Sequence, residues 1–228
     1  MQHPTRNTPI DRCESATRFA ESSILQYVES FEPPADTADA MRAQAAALLT
    51  ARVSLTTKQS EYRTSVLDAI ASRVAVIMVD LRADAVTRSA KRSVDDAGKD
   101  VSAMAFPEGV TPIVKLFGQS EVDALIALED RLLAVASRWS EATATHARIV
   151  QVRTRYETAL ANRTTALQHA ASKRALRDAA KEDFLDTYAK VASAIKGLFP
   201  RDKTLQDIFF EDVRRSGGED DEVEVEAG

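Results

Sequence analysis

F-P-E-G-V-T-P-I-V-K-L-F, from Phe106 to Phe117, returns in relaxed form near the other end of the chain as F-P-R-D-K-T-L-Q-D-I-F-F, from Phe199 to Phe210. Phe106, Pro107, Thr111 and Phe117 align with Phe199, Pro200, Thr204 and Phe210 at a single offset. Upstream, D-A-M-R-A-Q-A-A-A-L-L-T-A from Asp39 to Ala51 is echoed by D-A-L-I-A-L-E-D-R-L-L-A-V from Asp123 to Val135. An Asp-Ala segment that opens each copy and a Phe-Pro segment that closes it imply two diverged copies of one helical unit.

Between these markers the chain avoids breakers. No Gly or Pro occurs from Ala35 to Ala97, and none between Gly118 and Gly197. The first stretch, as one straight helix, would run roughly 95 Å at 1.5 Å per residue, so an antiparallel hairpin is expected in each copy. The most polar segments mark the turns, at Thr56-Thr57-Lys58-Gln59-Ser60 and at Asn162-Arg163-Thr164-Thr165. The apolar period passes through Thr56–Ser60 almost unbroken, which keeps a continuous bent helix as the alternative there.

Apolar stripes fill in the arms. Met41, Ala45, Leu48 and Leu55 mark the first, and Tyr62, Val66, Ile70, Val74, Ile77 and Leu81 the second. In the second copy Leu125, Leu128, Leu132, Val135, Trp139, Ile149, Tyr156 and Leu160 precede the turn. Leu167, Leu176, Phe184, Leu185, Tyr188, Val191, Ile195 and Leu198 follow it. A further helix is expected from about residue 11 to Phe31, with Thr8 as cap and Pro33-Pro34 as stop; its stripe includes Phe19, Ile24 and Phe31. Thr204 with Asp207 suggests a cap for a short C-terminal helix carrying Leu205, Ile208, Phe209 and Val213.

The expected fold is therefore all-α: an elongated antiparallel helical bundle built from two diverged helical-hairpin repeats, plus an N-terminal helix and a short C-terminal helix. Residues 1–10 read as a flexible start and 11–215 as a single bundle domain, with the repeats at about 36–117 and 120–215. Residues 216–228 read as a disordered acidic tail.

Composition narrows the function classes. The 228 residues include 29% charged and 44% hydrophobic residues but only seven Gly and seven Pro, a mix suited to long solvated helices. The single Cys13 allows no disulfide within the chain, and no signal peptide or membrane-length apolar run is expected, so the expected compartment is cytoplasmic. The net charge of -5 comes from Glu219, Asp220, Asp221, Glu222, Glu224 and Glu226; the rest of the chain carries 30 basic and 29 acidic residues.

Catalytic and metal chemistry find no support. His146 and His169 have no carboxylate three or four residues away, which removes the Glu-x-x-His pattern of di-metal bundles. There is no G-x-S-x-G, no recognisable Cys-His arrangement and no Gly-rich phosphate loop. No cofactor and no enzymatic activity are expected.

Two features remain. Arg148, Arg153, Arg155, Arg163, Lys173, Arg174 and Arg177 would gather at the tip of the second hairpin if the chain turned near Asn162, giving a basic surface for nucleic acid or anionic lipid. Phe106, Phe117, Phe199 and Phe210 would either plug the bundle ends or serve as aromatic anchors for a protein partner. The favoured expectation is a non-enzymatic scaffold or adaptor that binds protein or associates with itself, with anion binding as the alternative.

Overall fold

The computed structural model of the chain describes residues 3–210. Among them are seven α-helices and no strand: α1 Ile10–Phe31, α2 Ala35–Ala97, α3 Lys99–Ala105, α4 Thr111–Val114, α5 Gln119–Ala134, α6 Ala142–Leu198 and α7 Lys203–Ile208. The all-α bundle expected from the sequence is present. The acidic tail and Val213 lie outside the described residues.

The two hairpin turns are absent. α2 runs through Thr56–Ser60 and α6 through Asn162–Thr165 without interruption. The polar residues that suggested turns stay helical, their hydroxyls bonding to carbonyls one turn back, Thr56 to Arg52, Thr164 to Leu160 and Thr165 to Ala161; burial of neighbours such as Leu55 outweighs their weak local preference. The real break falls at residues 135–141, where no Gly or Pro marks it. There Ala136, Arg138 and Ala142 donate to Leu133, Val135 and Trp139 in successive tight turns. Consequently α2 has 63 residues and α5, which carries the echoed Asp-Ala segment, has 16. The two copies are not matching hairpins.

The chain divides into two compact units, where the sequence reading placed one bundle domain. The first takes in residues up to Val66 and from Ala170 onward; the second is Leu67–His169. In the first, α1 and the opening half of α2 pack with the closing half of α6 around Ile24, Met41, Leu48, Leu55, Phe184 and Tyr188. Met41, Ala45, Leu48 and Leu55 are all buried, as their spacing requires. Phe199 and Phe209 stack at 5.6 Å, and Tyr27 meets both edge-on. α7 is capped by Asp202, which accepts from the Leu205 amide at 2.9 Å; Thr204 is not the cap. At the other end of the unit, Thr8 does not cap α1, whose first turn follows Pro9; its hydroxyl accepts from the Thr5 amide instead.

In the second unit the closing half of α2 packs with α5 and the opening of α6 around Leu125, Leu128, Leu132, Ile149 and Tyr156. α2 ends at Ala97, one residue before Gly98. Gly98 there takes φ 130°, ψ 157°, a conformation essentially reserved for glycine. α5 starts from Gly118 at φ 68° with no side-chain cap. The core line of α2 here is Ala69, Val76, Ala83, Ala90 and Val94. That corrects the expected stripe: Ile70, Val74, Ile77 and Leu81 are exposed. Alanine on the inner line lets neighbouring helices approach closely, and the larger side chains are left on the outer line.

Candidate protein-interaction surfaces

The exposed line of α2 is continuous. Leu67, Ile70, Val74, Ile77 and Leu81 follow one another at alternating spacings of three and four residues, and Ala71 and Met78 lie beside them. On a helix this set spans about 120° of the circumference with no charged residue inside it. Exposure reaches 66% at Leu67, 60% at Met78 and 57% at Leu81. Scattered exposed leucines are ordinary on a protein surface, but a contiguous stripe with this period has the form of a coiled-coil seam. Asp68 and Arg82 flank one side, and Asp84 on the other is held by Arg88 one turn along the same helix.

A second apolar surface lies in the first unit. Phe19, Tyr27, Phe31 and Ile208 line an open groove of about 450 Å3 along α1, interleaved with Ser22, Ser23, Gln26 and Ser30. Phe19 and Phe31, expected in the buried stripe of α1, are exposed here. The buried line is Cys13, Ala16, Thr17, Ala20, Ile24 and Val28, which keeps the expected Ile24 and leaves Phe19 and Phe31 outside it.

The phenylalanines singled out in the sequence separate. Phe106 is buried in the second unit, Phe210 is buried and Phe199 half-buried in the first, while Phe117 and Leu116 are exposed. Three of the four therefore contribute to cores. The basic residues do not gather at a tip, because α6 has no turn to gather them. Arg148, Arg153, Arg155 and Arg163 belong to the second unit and Lys173, Arg174 and Arg177 to the first.

Several of these cations already have partners. Arg153 donates to Glu129 at 2.6 Å and to Glu157 at 2.8 Å, and its side chain is 19% exposed. Lys173 donates to Glu61 at 2.8 Å, and Glu61 also accepts from Lys58; the two ammonium groups hold its carboxyl below its ordinary range. Arg177 lies over the Tyr62 ring at 4.6 Å and also pairs with Asp178. Arg148 donates to the Thr145 hydroxyl; Arg155 and Arg174 are exposed.

One buried polar cluster escaped sequence reading. Tyr156, fully buried on α6, accepts from the Gly118 amide at 2.9 Å and donates to Asp80 on α2 at 2.8 Å. Glu121, 1% exposed on the first turn of α5, lies beside them with no hydrogen bond of good geometry to either carboxylate oxygen. Burial, reinforced by the neighbouring Asp80 carboxylate, pushes Glu121 up to about 8. Burial also raises the Tyr156 hydroxyl above its ordinary value. Glu121 precedes Val122 and Leu125 on the apolar stripe of α5, and that position was the available signal.

Cys13 is fully buried and burial raises its thiol to about 11, so it is a poor nucleophile. His3 packs edge-on between Tyr188 and Phe210, and burial lowers its pKa. Among the described residues no three His, Cys, Asp or Glu side chains are disposed to hold a metal ion, and no helix is long and apolar enough to cross a membrane. No family model, curated protein or solved structure matches the chain.

Proposed function

We propose that this chain is a non-enzymatic scaffold or adaptor of the cytoplasm that binds protein through helical faces its own units leave uncovered. The observation that carries this reading is the outer face of α2, where six large apolar side chains from Leu67 to Leu81 face solvent at coiled-coil spacing. Such a face costs solubility while it stays bare, and covering it with a matching helix recovers the apolar contribution to binding. Anion binding is the weaker reading, because the cations it needs are divided between the units and several are neutralised by Glu61, Glu129 and Glu157.

The test is affinity capture of the tagged chain and of a Val74→Glu variant from the native host. Val74 is exposed, so the variant keeps its helices. Loss of a stoichiometric protein, with nucleic acid and lipid recovery unchanged, is the expected result. A captured set unchanged by the substitution overturns the reading.

A further inference from the structure

We infer that the uncovered face of α2 pairs with the same face of a second copy of this chain, the two helices running antiparallel about a two-fold axis at Val74. The inference rests on the protein-binding reading above and names its partner.

The face is nearly palindromic. With Val74 on the axis, Leu67 of one copy meets Leu81 of the other, Ile70 meets Met78, and Ala71 meets Ile77. Large residues meet large ones at both ends, and the small Ala71 makes room for Ile77. This self-complementarity is what an isologous two-fold contact demands. Exposures of 40–66% on the six large side chains leave several hundred Å2 of apolar surface per copy. Pairing then removes on the order of 1,000 Å2 from water, about the lower bound for a specific interface.

Charge selects the orientation. In an antiparallel pair the same side of each helix meets its counterpart, so exposed Asp68 of one copy comes within reach of exposed Arg82 of the other, twice by symmetry. In a parallel pair Arg82 would turn toward Asp84, whose carboxylate is already held at 3.0 Å by Arg88 on its own helix. Arg73 lies near its symmetry mate at the rim, where the long side chain extends into water.

Sedimentation equilibrium of the full chain should show a dimer at micromolar concentration. Val74→Glu, which sets two carboxylates against each other on the axis, should weaken it on the order of a hundredfold with helical circular dichroism unchanged. Orientation is read by cysteine pairing, for which buried Cys13 is silent. In the antiparallel pair the two copies of position 67 lie about 21 Å apart along the helices, beyond the roughly 7 Å reach of a disulfide. Leu67→Cys alone and Leu81→Cys alone should therefore stay uncrosslinked on oxidation, while a mixture of the two should form a disulfide-linked dimer. Self-crosslinking of Leu67→Cys means parallel pairing and overturns the orientation. A monomeric wild-type chain overturns the inference; if Val74→Glu still abolishes capture of a different protein, the broader reading survives it.

Discussion

At the scale of single residues, Glu121 is the group whose environment departs furthest from its type. Its ordinary value of 4.5 rises to about 8 in the folded chain, so the folded state holds a proton that the unfolded state releases. Between these two values the unfolded chain binds fewer protons, and stability therefore falls as pH rises through this window. Glu121→Gln, which stays uncharged, should flatten this dependence. Thermal melts should show the variant close to wild type at about pH 5 and more stable by on the order of 1–3 kcal/mol at about pH 9. Parallel melting curves at both values would show that Glu121 is ionised in the fold. Arg153 is the second case: it bridges Glu129 and Glu157 within the second unit, so Arg153→Ala should cost roughly 1–3 kcal/mol by leaving Glu129 unpaired. Denaturant titration checks this; a neutral result would place the side chain in solvent. Neither role was legible from composition, which counts Glu121 and Glu129 among the acids and Arg153 among the cations. Their positions on apolar stripes, beside Leu125, Leu128 and Val152, carried the information.

At the scale of elements, the start of α1 near Pro9, the end of α2 at Ala97 and the core line from Met41 to Leu55 all follow from proline, glycine and period, and all were legible. The turns were not. A polar run such as Thr56–Ser60 breaks a helix only weakly, and here the buried Leu55 holds the segment in the packed helix while Thr56 bonds to the Arg52 carbonyl. Thr57→Pro tests the continuity of α2 directly. In a continuous helix the ring removes a backbone bond and crowds the carbonyl of Val53, costing about 3 kcal/mol or more, whereas a turn would absorb it. Chemical denaturation with a helical readout distinguishes the two. The facing of α2 was not legible either, because the helix has two apolar lines and period alone cannot say which is buried. The larger residues pointed the wrong way: alanines at 69, 83 and 90 take the inner line and Leu67, Val74 and Leu81 the outer.

At the scale of the whole molecule, helical class was legible from the scarcity of breakers, while the division into two units was not. Phe106 and Phe199 echo each other in sequence and contribute to separate cores, yet the helices that carry the other echo differ in length, 63 residues against 16. Similar words therefore do not imply equal hairpins. Each unit has a core of its own, and Leu128→Ala in the second should cost about 2–5 kcal/mol through the cavity it opens.

We propose that the outer face of α2 binds protein. That binding is tested by a photo-crosslinking residue placed at Met78, on the face, and at exposed Lys115, which is not part of it, in the full chain expressed in its native host. A discrete protein adduct at Met78, either this chain or another protein, that is absent at Lys115 and lost on Val74→Glu is the predicted result. Equal labelling at both positions, or none at Met78, would contradict it.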